Sequence, residues 1–128
     1  MTGESASSAL DRRVLRDLEA ELGGADGVRQ VIAAFLEGTP RYLAMLRDAA
    51  ARGDAAGMRK AAHALKSSSA MLGAMALSTR CADLERDSGA GHPVDGVARV
   101  AAIEGLYRDV TLAFEAADRD RRAGSRPD

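Results

Sequence analysis

Tryptophan is absent, and aromatic residues make up only 3% of the chain, so the interior must be built from Leu, Val, Ala and Met. Such side chains suit helices better than sheets, which draw on aromatic and β-branched residues. A single cysteine, Cys81, rules out an internal disulfide. One thiol in a chain without a signal peptide fits a reducing, cytoplasmic setting. No apolar run approaches the roughly 20 residues needed to span a bilayer, which argues against a membrane protein. Net charge is −1 with 29% charged residues, so no basic field points to nucleic acid. Phosphate-cradling GxxxxGK[ST] and GxGxxG loops are missing, as is an acidic trio for Mg²⁺. A nucleotide site, a resident metal and a bound cofactor are therefore not expected.

What is present is helical periodicity. The 128 residues suffice for one domain. Leu10, Val14, Leu15, Leu18 and Leu22 recur at helical spacing and predict a short helix stopped by Gly23 and Gly24. Asp26 is placed to cap the next helix, striped by Val28, Val31, Ile32 and Phe35 and continued by Tyr42, Leu43, Leu46 and Ala50. Pro40 lies inside this run and cannot donate to the Leu36 carbonyl, so one long helix kinked near residues 38–40 is expected. Asp54 caps a third helix carrying Met58, Ala62, Leu65, Ser69 and Leu72 on one face, with Gly73 as its terminating glycine.

A fourth helix has Leu77, Cys81 and Leu84 inward, and DSGAGHPVDG over 87–96 reads as a loop, its Pro93 disfavouring helix at His92. Val97, Val100, Ile103, Tyr107, Val110 and Phe114 mark a last long helix. The expected fold is all-α: an antiparallel four-helix bundle with a short N-terminal lid helix. Residues 1–9 read as a flexible start, 10–118 as the domain and 119–128 as a disordered tail. Four helices already complete a bundle, so a monomer is expected.

One residue does not serve this fold. With Met58 as the centre of its buried stripe, His63 lies about 140° away on the helical wheel, on the solvent side. Around it stand Arg59, Lys60, Lys66, Ser67 and Ala70. Of 18 basic residues only Lys60 and Lys66 are lysine, and they flank His63 three positions to either side. Lysine is a compact charge on a flexible stem that follows a phosphoryl group without clamping it. Cations there stabilise the negative charge of an attached phosphoryl group. Ala62, Ser67 and Ala70 are small and mark a docking surface on which another protein approaches the ring. Cys81 reads as core, and His92 as incidental.

At these residues the sequence resembles the histidine-containing phosphotransfer (HPt) domain of multistep phosphorelays. The pattern A-H-x-L-K-[GS]-S, then L-G, then L-x-x-x-C-x-x-L-E is met by Ala62, His63, Leu65, Lys66, Ser67, Ser68, Leu72, Gly73, Leu77, Cys81, Leu84 and Glu85. FLEGTPRYLAMLRDAAARGD over 35–54 is similar to the family's preceding helix, proline included. The resemblance implies that His63 accepts and donates the phosphoryl group, with Lys66 near its oxygens. It also implies that Glu85 accepts a hydrogen bond from one ring nitrogen, leaving the other free to attack. Many family members have glycine where this chain has Ser67.

The implied role is a relay between aspartates of receiver domains, in response regulators and hybrid sensor histidine kinases, with Mg²⁺ supplied by the receiver. The chain would then be no kinase and no enzyme in its own right. A helical adaptor that docks a partner without chemistry is the alternative. The phosphoacceptor domain of a sensor kinase is a poorer match, because its histidine is followed by an acidic residue and His63 is followed by Ala64.

Overall fold

Glycines and aspartates divide the described residues into five helices, α1 Arg12–Leu22, α2 Ala25–Arg52, α3 Ala55–Met71, α4 Met75–Gly89 and α5 Gly96–Gly124. The computed structural model describes residues 9–90 and 95–124. Asp11 caps α1 by accepting from the Arg13 amide at 3.0 Å, and Asp54 caps α3 through the Gly57 amide at 3.0 Å. Gly23 closes α1 and Gly53 closes α2, both in the left-handed conformation. Asp26 does not cap α2 as expected; it sits inside the first turn, where its carboxylate meets Arg29 at 2.9 Å and its charge favours the helix N-terminus.

Helices α2 to α5 form the bundle: α2 packs on α3, α3 on α4, α4 on α5 and α5 back on α2, with α1 against α2. Leu46, Leu65, Leu72, Leu77, Leu84, Val100, Ile103 and Val110 are all but inaccessible along its axis. Each such side chain contributes about 1.5–3 kcal/mol by leaving water. Phe35 anchors α2 to α5 through two rings, Tyr107 at 6.1 Å and Phe114 edge-on at 6.0 Å between centroids. Cys81 is fully buried, and desolvation pushes its thiol up to about 12, as the core reading requires.

Helix α2 runs continuously through Pro40. The carbonyl of Leu36, deprived of its helical donor, accepts instead from the Tyr107 hydroxyl of α5 at 3.3 Å. Next to it, the buried Thr39 hydroxyl donates to the Phe35 carbonyl at 2.6 Å.

The lid helix is tied down at one end of the bundle. The Asp11 amide donates to the Gly73 carbonyl at 2.8 Å, and Arg12 pairs with Asp120 at 2.7 Å. Gly73 takes φ +82, and a Cβ there would lie 2.6 Å from the Asp11 carbonyl oxygen. Both the turn and the lid thus require glycine.

Four expectations about boundaries and facing change. Ala9, assigned to a flexible start, is buried at 4% in the core; residues 1–8 lie outside the described residues. Asp87, Ser88 and Gly89 extend α4 rather than opening a loop, because Ser88 is buried and Arg99 holds Asp87 at 2.8 Å. Helix α5 continues through residues 119–124 instead of fraying at 118. Asp118 pairs with Arg29 of α2 and with Arg122 one turn on, both at 3.0 Å, and Ala117 is still buried, so this last stretch has both a packed face and ion pairs. Val97, expected on the apolar stripe, is 65% exposed at the first turn of α5.

Candidate functional site

Helix α3 buries Met58, Ala61, Ala62, Leu65 and Ser69, and that choice of face turns position 63 outward. The His63 side chain is 62% exposed. Helix α4 buries Leu77, Ser78, Cys81, Leu84 and Ser88, which brings Glu85 to the edge of the α3–α4 seam with its side chain only 18% exposed. Ser78 fixes the register between the two helices by donating to the Lys66 carbonyl at 2.9 Å.

Glu85 bridges two groups of α3. One carboxylate oxygen lies 2.6 Å from His63 Nδ1, and the other accepts from Lys66 Nζ at 2.6 Å. The Lys66 hydrogen bond, joined by His63, holds the Glu85 carboxyl below the usual carboxylate range against the opposing effect of burial. An ionised carboxylate accepts only, so the hydrogen in this contact resides on Nδ1. In the neutral ring the lone pair then belongs to Nε2, on the opposite side of the imidazole. The arrangement is a nucleophilic nitrogen presented to solvent from a ring fixed in one tautomer.

Arg59 and Lys60 lie with His63, Glu85 and Ala56 around one shallow depression. Arg59 also borders a second hollow on the other side of Glu85, with Lys66, Ala82, Arg86 and Gly89. Among the described residues Arg59 and Lys60 form no ion pair, whereas Arg86 pairs with Asp83 and Asp87. Ser67 is exposed, with its hydroxyl 3.5 Å from the His63 carbonyl. Ala70 is half-buried beside Val14, Leu18 and Met71. Ala62 does not belong to this surface: it is completely buried, because its 40° offset from the stripe centre keeps it within the packed face. His92 and Pro93 fall outside the described residues.

Sequence reasoning brought His63, Arg59, Lys60, Lys66 and Glu85 to one place, and they are together. It placed Lys66 against a phosphoryl group, whereas the side chain is engaged by Glu85. It missed Ser78, whose only sequence signal is a polar residue beside the apolar stripe of α4, and Tyr107 as a hydrogen-bond donor.

The Hpt domain family model matches residues 30–118, about two-thirds of the chain and the whole of this site. The chain belongs to the Hpt domain family. Histidine-containing phosphotransfer protein B (HptB) from Pseudomonas aeruginosa PAO1 has a similar structure. The TM-score is 0.74 at 27% sequence identity, covering 90% of this chain and 96% of that one. No curated protein matches the chain. An Hpt domain carries out histidine phosphotransfer in two-component phosphorelays, and as a family these proteins work with the receiver domains of response regulators and kinases. No helix among the described residues is long and apolar enough to cross a membrane.

Proposed function

We propose that His63 is the residue that takes up and passes on the phosphoryl group. The observation that carries this reading is the 2.6 Å contact from His63 Nδ1 to Glu85, which leaves Nε2 as the exposed nucleophile. In the forward step the Nε2 lone pair attacks the phosphorus of a receiver's aspartyl phosphate. The N–P bond forms as the P–O bond to the aspartyl carboxyl breaks, and that electron pair returns to the receiver as a carboxylate. Nδ1 keeps its proton, and Glu85 stabilises the positive charge that develops on the ring.

Receiver and chain divide the chemistry. The chain brings the imidazole and its cationic surround; the receiver brings the acceptor aspartate and the Mg²⁺ that neutralises phosphoryl charge. The receiver docks over Ser67 and Ala70, where small side chains let its aspartate come into line with Nε2. The chain acts as a cytoplasmic monomer, without nucleotide, metal or cofactor of its own.

Incubation with a receiver domain charged by a small phosphodonor tests the reading. Label should appear on the chain, be lost in acid and survive base, and His63→Gln should take up none. A His63→Gln variant labelled as strongly as wild type refutes the assignment.

A further inference from the structure

The cations around His63 are not equivalent. Lys66 gives a hydrogen bond to Glu85 at 2.6 Å, so that pair is close to neutral as seen from the ring. Arg86 is taken up by Asp83 and Asp87 on its own helix. Arg59 and Lys60 are exposed and have no carboxylate partner among the described residues.

Helical geometry adds a direction. Cα–Cβ bonds tilt toward the helix N-terminus, so a helical side chain covers the turn before its own Cα. The His63 ring therefore leans over the turn that holds Arg59 and Lys60. These three residues and Glu85 border the same depression. The Arg59 stem crosses to α4, where a Cβ on Gly89 would lie 3.6 Å from its Cδ and Nε. The Arg59 side chain thus lies in van der Waals reach of α4 at Gly89, across the seam from its own helix.

We infer that Arg59 and Lys60 bind the phosphoryl oxygens on His63 Nε2, and that Lys66 is a positioning residue acting through Glu85. This rests on His63 being the phosphorylated residue. A phosphohistidine dianion at Nε2 meets two uncommitted positive charges from α3. Across the ring it also meets Glu85, a negative charge that would repel it if Lys66 did not offset it. Lys66 thus keeps Glu85 ionised and in place as the acceptor for Nδ1–H, while Arg59 and Lys60 supply the net field at phosphorus. Among the described residues, the charged groups around the ring are Arg59, Lys60 and Lys66 on α3 and Glu85 on α4, with Arg86 engaged nearby.

Phosphorylation of the full chain with phosphoramidate, followed by ³¹P NMR titration, separates the two roles. Arg59→Gln/Lys60→Gln should move the second ionisation of the phosphohistidine phosphate upward by about half a pH unit, the scale of two solvent-screened cations. Arg59→Lys/Lys60→Arg should restore the wild-type midpoint. Lys66→Gln should raise the phosphate midpoint by clearly less than the double variant does, through the uncovered charge of Glu85, and should raise the carboxyl titration of Glu85, read by ¹³C NMR, which the double variant should not do. The inference is overturned if Lys66→Gln shifts the phosphate midpoint as much as the double variant does, or if the double variant shifts nothing. Failure of the wild type to form phosphohistidine, or its formation in His63→Gln, instead removes the premise that His63 is the acceptor and takes the inference with it.

Discussion

The Tyr107 hydroxyl donates at 3.3 Å to the Leu36 carbonyl, the one acceptor in α2 that Pro40 leaves without its helical donor. A proline in mid-helix removes a hydrogen bond, and an unmatched carbonyl in a packed region adds a desolvation cost. Here a side chain from α5 replaces the missing donor, so α2 passes the proline as a single helix and its C-terminal half still reaches the Asp54 cap from which α3 starts.

Tyr107→Phe should therefore destabilise the domain by about 1 kcal/mol in chemical denaturation, the net value of one such hydrogen bond. The effect should shrink in a Pro40→Ala background, where residue 40 regains an amide to offer Leu36. Equal losses in both backgrounds would mean that the hydroxyl does not compensate for the proline.

Gly73→Ala puts a Cβ into a position that is closed twice over, by φ +82 and by the Asp11 carbonyl 2.6 Å away. Left-handed strain alone costs roughly 1–3 kcal/mol. Thermal unfolding should shift downward, and amides of α1 should exchange faster with deuterium as the lid loosens. A variant with unchanged exchange in α1 would contradict the role of Gly73 as the lid's contact.

Three carboxylates tie the stability of the domain to pH, the first being Asp87, which Arg99 chiefly, with Arg86, holds below its ordinary range. Arg29 chiefly, with Arg122 and Arg121, holds Asp118 below its ordinary range, and Lys66 chiefly, with His63, does the same for Glu85. A carboxyl with a lowered folded-state pKa contributes stability that is fully present above its unfolded value and is lost as pH falls through the folded one. Denaturation midpoints should thus be flat near neutrality and fall on the acid side of the usual carboxylate range. Asp118→Asn should remove part of that slope and fray the end of α5. If it leaves both the slope and the helicity unchanged, the ion pairs of Asp118 do not hold the last turns.

That end of α5 also marks the limit of what the sequence made legible. Helices and their facing followed from apolar spacing, and the fold class with them. Residues 119–124 have no stripe of their own; they are held from outside, by Arg12 on Asp120 and by Arg29 on Asp118 just before them, and no local pattern carries that information. Ala62 failed differently, having been placed both on the buried stripe and on the docking surface; the width of the packed face decided for burial. His63 stood out because it broke the pattern. Glu85 emerged only through the family resemblance, since its meeting with His63 depends on the phase of α4 against α3, which Ser78 and Lys66 fix across the seam.

Ser67→Gln adds bulk on the exposed face one turn beyond His63. Receiver affinity and transfer rate should both drop while thermal stability stays within about 0.5 kcal/mol of wild type, as for other surface substitutions. Unaltered binding and transfer would move the docking surface away from Ser67.

The central claim is that Glu85 holds the Nδ1 hydrogen of His63 and leaves Nε2 to carry the phosphoryl group. A ¹H–¹⁵N correlation spectrum of uniformly labelled protein, recorded before and after phosphorylation, tests it directly. The account predicts one histidine, His63, in the Nδ1–H tautomer before phosphorylation and with ¹⁵N–³¹P coupling at Nε2 afterwards. Coupling at Nδ1, or a phosphorylated residue other than His63, would contradict it.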